Sequence, residues 1–108
     1  MLQHSEIKRR FSRIEREIEV VATACQSNAK LPQNLKDCVM QWEQHTTKAK
    51  NIFNSHDDKS ILRSVDDLEE IGGRAELALQ GAVGVDAKVK TAIVHAHSEL
   101  ADLKRQLH

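Results

Sequence analysis

Four times along this chain, seam residues recur at intervals of 4, 3, 4, 3 and 4. Ile7, Phe11, Ile14, Ile18, Val21 and Cys25 form the first run, and Leu35, Val39, Trp42, Thr46, Ala49 and Phe53 the second. Ile61, Val65, Leu68, Gly72, Ala75 and Leu79 form the third, and Val89, Ile93, Ala96, Leu100, Leu103 and Leu107 the fourth. A spacing of this kind places every member on one stripe of an α-helix and leaves the remaining surface to polar residues. Each stripe must be covered by another. The spacing predicts helices over about 3–27, 32–54, 60–80 and 86–107, joined by short polar loops, and therefore an all-α, up-down antiparallel four-helix bundle. With 108 residues, the chain is expected to be a single domain spanning 1–108.

The breaks between the runs carry local signals. Pro32 follows "SNAKL" and suits a helix start, because its missing N–H has no partner there in any case. "NSHDDKS" offers Ser55 with Asp58 three residues on, a capping-box pattern, and Ser60 as a second cap. Gly81 and Gly84 in "GAVG" read as a helix stop.

The third run contains an anomaly, the pair Gly72–Gly73 in mid-helix. Each glycine costs about 1 kcal/mol relative to alanine at such a position. If the second and third segments form a hairpin centred near Asp57, residues whose numbers sum to 114 lie level, and Trp42 faces Gly72. The glycine then leaves the volume that the indole fills. The alternative use of the pair is a kink or stop in the third helix.

Sixteen basic and sixteen acidic residues cancel, whereas a dedicated nucleic-acid domain usually shows a basic excess. The two Phe and the single Trp sit on seams, and the chain has no Tyr, so stacking platforms for bases are missing. No run approaches the roughly 18 apolar residues of a membrane span. The N-terminal "MLQHSEIKRRF" shows no secretory pattern, which gives a cytoplasmic expectation. Two cysteines, Cys25 and Cys38, make no disulfide scaffold. As seam and seam-flanking residues they are expected to be inert thiols, with a reversible Cys25–Cys38 bridge as the alternative.

Chemistry-bearing patterns are sparse. No Glu is followed three residues later by a His, the pattern of carboxylate-bridged di-iron bundles. His95 and His97 stand about 200° apart on a helix, and His95 with Glu99 supplies only two ligands on one face. Neither a metal nor a cofactor is therefore expected, and no nucleophile with a paired base is readable, so the chain is read as non-catalytic. "AHSEL", Ala96 to Leu100, resembles the start of the A-H-x-L-K-G motif of histidine phosphotransfer domains, which are four-helix bundles of similar length. The resemblance covers five residues and implies His97 as a phosphoryl acceptor. Glu99 and Leu100 stand where the motif has Leu and Lys, and no Gly follows. The motif's histidine also lies on an inner helix, and His97 on the last.

Charge is unevenly placed. "KRRFSRIER" puts Arg9, Arg13 and Arg16 on one face of the first helix, whereas 57–80 holds seven acids against three bases, with Asp66, Asp67 and Glu70 among them. The functional expectation is a helical interaction or regulatory module whose partner the sequence does not name. Those six residues are its docking set, and it pairs with itself as a homodimer. The alternative is a nucleic-acid binder using the basic stripe.

Overall fold

The computed structural model describes residues 3–28, 30–55 and 57–107. Residues 1, 2, 29, 56 and 108, which the single-domain reading takes in, lie outside the described residues. Four α-helices follow one another: α1 His4–Gln26, α2 Gln33–Asn54, α3 Asp58–Gln80 and α4 Ala87–Leu107. Each helix packs against its neighbours in sequence, and α1 closes the ring against α4. Among the described residues the diagonal pairs α1–α3 and α2–α4 make no packed interface. Cross-helix contacts run in opposite numerical senses. Glu17 meets His95 while Arg10 meets Gln106, and Asp66 meets Lys104 while Glu76 meets His97. The architecture is an up-down four-helix bundle.

The seams form its core. Ile14, Ile18, Leu35, Trp42, Val65, Leu68, Ile93, Leu100 and Leu103 have no exposed surface. Ala22, Ser64 and Ile71 join the buried set beside the seams, while Val89 and Leu107 at the ends of the fourth run are only partly covered. Phe11 and Phe53 pack edge to face, their centroids 4.1 Å apart, the arrangement that the ring quadrupoles favour. Thr46 is the one polar seam residue. It is buried, and its hydroxyl donates to the Glu43 carbonyl at 2.6 Å, so it enters the core without an unmet donor.

The helix ends differ in detail from the sequence reading. α3 starts at Asp58 rather than Ser60, and Ser55 does not cap it. Ser55 has helical backbone angles and ends α2, with its hydroxyl donating back to the Ile52 carbonyl at 2.6 Å. The N-cap is Asp57, whose backbone is extended and whose carboxylate accepts from the Ser60 hydroxyl at 2.7 Å. That hydrogen bond is the main reason the Asp57 carboxyl titrates below its ordinary value. Pro32 occupies the N-cap of α2. Between α3 and α4, Gly84 has φ +78°, the left-handed region in which a side chain would be strained. Asp86 then accepts the Lys88 N–H at 2.8 Å in the manner of an N-cap side chain.

Ile14 and Ile18 of α1 and Leu100 and Leu103 of α4 are sealed within one chain, so a homodimer has no need to share them. Ile18→Ala is expected to cost about 2–5 kcal/mol, as other fully buried Ile-to-Ala changes do. The denaturation midpoints of parent and variant are expected to be independent of protein concentration. A midpoint that rises with concentration would show that the core is completed by a second copy.

Candidate functional site

The outer faces of α1 and α4 carry the groups that the core leaves unused. Arg9, Arg13 and Arg16 are all exposed along α1. Arg9 reaches Glu6 one turn away at 3.6 Å. The other acids that α1 turns toward its neighbours are engaged elsewhere, Glu15 with Lys50 of α2 and Glu17 with His95 of α4. Arg13 and Arg16 have no carboxylate within ion-pair distance among the described residues. Farther along the same helix Val20 is 64% exposed, above Thr23 and Ala24 in a shallow depression that Arg16 and Glu19 border. Antiparallel packing sets α4 beside this stripe. Arg10 donates to Gln106 at 2.8 Å, and two further shallow depressions share Thr91 and His95. Val94 is 48% exposed next to them.

The acidic members of the docking set do not gather into a matching face. Asp66 turns toward α4, with Lys104 at 3.8 Å. Asp67 and Glu70 are exposed on α3, where Arg63 and Arg74 are exposed as well. Since α1 and α3 stand on opposite corners of the bundle, the chain brings its arginine stripe and its acids to different sides.

Two histidines straddle α4. His95 Nδ1 lies 2.8 Å from both oxygens of Glu17, and its Nε2 lies 3.5 Å from Glu99. The hydrogen bond and charge of Glu17, helped by Glu99 and opposed by Arg13, push the His95 pKa up. The two carboxylates occupy opposite ends of the ring, so they do not converge on a common point. Among the described residues no group of three or more His, Cys, Asp or Glu side chains is arranged to hold a metal ion.

His97 points the other way, toward α3, and its Nδ1 donates to Glu76 Oε1 at 2.8 Å. Its ring lies over the glycine pair. A Cβ built on Gly72 would stand 2.9 Å from His97 Cδ2 and 3.0 Å from Cζ2 of Trp42; one on Gly73 would have the His97 ring at 3.7 Å. The Trp42 indole N–H donates to the Leu68 carbonyl, four residues before Gly72, at 3.0 Å. Gly72 is thus a notch filled from α2 by an indole and from α4 by an imidazole. α3 runs unbroken through both glycines, so they do not end the helix.

Cys25 is buried and Cys38 half-buried, and both are free thiols. Burial pushes the Cys25 pKa up, against a smaller opposing effect of Lys36, which keeps the thiol protonated and unreactive.

Comparison with protein families, curated proteins and solved structures finds no match for this chain.

The roles of His95 and His97 as ties between helices, and of His97 as a second occupant of the notch, were missed by sequence reasoning. The available signal was the placement of both histidines around Ala96. A small seam residue with polar neighbours on either side lets those neighbours reach the flanking helices.

Gly72→Ala is expected to destabilise by about 1–3 kcal/mol through overpacking, offset in part by a helix-propensity gain near 1 kcal/mol. Gly73→Ala has room and is expected to be neutral or stabilising by up to about 1 kcal/mol. Urea denaturation of both variants checks the contrast, and equal effects at the two positions would remove the notch.

Proposed function

We propose that the protein is a non-catalytic helical interaction module that docks an acidic helical segment of a partner protein along the outer face of α1. The observation that carries this reading is the pair Arg13 and Arg16, exposed and without an internal carboxylate, leading into the exposed Val20. The stripe from Arg9 to Ala24 is straight and about 22 Å long at 1.5 Å per residue. Its arginine end suits carboxylates, and its Val20 and Ala24 end suits an apolar side chain. Charge of this kind sets orientation and association rate more than affinity.

The acids of a second copy are a poorer fit. Asp67 and Glu70 share their surface with Arg63 and Arg74. Pairing α1 of one copy with α3 of the next would also be head-to-tail, an open arrangement that grows rather than closing as a dimer.

Binding of an amphipathic helical peptide with acidic residues at one end is the direct test, followed by fluorescence anisotropy. Replacing Arg9, Arg13 and Arg16 with Gln is expected to weaken binding about tenfold or more. The melting temperature should barely change, because exposed charges contribute little to folding. Equal binding by parent and variant would sink the reading. Random-sequence duplex DNA is the counter-probe. Tight binding to it that falls steeply with salt would favour the nucleic-acid alternative instead.

A further inference from the structure

We propose that α4 is held in the bundle by a two-sided proton latch, His95 on Glu17 of α1 and His97 on Glu76 of α3, which tightens as the imidazoles take up protons.

The geometry carries the proposal. The two histidines are separated only by Ala96, which is buried at the seam, so they leave α4 on opposite flanks and reach its two packing neighbours. Both contacts are 2.8 Å long. The other polar ties from α4 to its neighbours lie near its C-terminus, Gln106 to Arg10 and Lys104 to Asp66. Among the described residues the N-terminal two-thirds of α4 is bound to the other helices by polar contacts through His95 and His97 only.

A neutral imidazole already donates one hydrogen bond to a carboxylate. Protonation adds a full charge to the donor, and charge-assisted bonds of this type are roughly twice as strong. The charged groups around His95 are Glu17 and Arg13 from α1, Glu99 on its own helix, and Lys88 in the same depression. Around His97 the carboxylate is Glu76 of α3, while Gly72, Gly73 and the Trp42 ring from α2 supply uncharged surface.

The sign follows from linkage. The folded pKa of His95 is raised by Glu17. Its contribution is therefore fully present below the unfolded histidine value and lost as pH rises through the folded one. α4 is thus released on the alkaline side of the His95 titration. Release would uncover Ile93, Ala96 and Leu100, which the closed bundle buries completely.

Hydrogen exchange of the whole chain reads this directly, at about pH 5.5 and about pH 8, on either side of the histidine titration. After correction for intrinsic rates, amides of 90–100 in α4 are expected to be better protected at the lower pH. The gain should reach at most about tenfold for each pH unit by which His95 is raised, and it should exceed any gain in α2. Glu17→Gln combined with Glu76→Gln keeps both side-chain sizes and removes both cross-helix charges, so the difference between the two pH values should fall to the small part that Glu99 sustains within α4. Equal α4 protection at the two pH values would overturn the latch, as would a change matched by α2 or one retained in full in the double variant. Should that variant fail to fold, NMR titration of the imidazoles in the parent protein decides. A midpoint for His95 above that of free histidine supports the latch, and a midpoint at or below it overturns it.

Discussion

The hydrogen bond from the Trp42 indole to the Leu68 carbonyl fixes the level at which the rest of the bundle assembles. That carbonyl also lies one turn before Gly72 in α3, where the helix ladder runs. With the indole N–H on that carbonyl, Cζ2 of the ring stands 3.0 Å from where a Cβ of residue 72 would be, a space that glycine leaves open. The same missing Cβ admits the His97 ring from the other side. Three helices therefore meet at one glycine. Their relative heights are set by a buried donor that must be satisfied, since an unmet indole N–H in this core would cost about 1–3 kcal/mol. The two glycines lower the local propensity of α3 by about 2 kcal/mol, and the burial of Trp42, worth about 3–5 kcal/mol, offsets that loss.

The surface follows a different logic from the core. In a square of helices each member packs against two others, and along most of its length its charged residues are answered by those two. At the end of the bundle His4 of α1 also reaches Asp58 of α3, at 2.8 Å. α1 meets α2 through Lys50 and α4 through His95, and each takes one of its glutamates. Arg13 and Arg16 are left to solvent, since the acids of mid-α3 stand across the diagonal. An electrically neutral chain thereby folds into a particle with uncompensated charge on particular faces. Such faces are useful for recognition and nearly irrelevant to stability.

Histidine serves here as a link between elements. His95 and His97 lie just outside the seam of α4, and each reaches the carboxylate directly across, His95 with Glu99 of its own helix as a second contact. No group of the chain converges on a vacant point among these residues. The phosphotransfer resemblance at "AHSEL" therefore rests on a histidine whose Nδ1 is held by Glu76 and whose ring fills a packing notch.

The sequence by itself determined the four helices and which face of each is buried, because the spacing of apolar residues along a helix is a local property that needs no partner to be read. It also placed Trp42 against Gly72 once an antiparallel hairpin was assumed, since the two odd volumes occur at matching heights. The helix starts were less legible. Asp57, Ser55 and Ser60 all suit a cap, and only the backbone angles of the folded turn separate them. The neighbours of each polar side chain were decided by tertiary structure alone. Which residue meets His95, His97, Asp66 or Arg13 depends on the order of helices around the square and on their rotation and height. Those are set by core packing between residues far apart in the chain, and no local pattern records them.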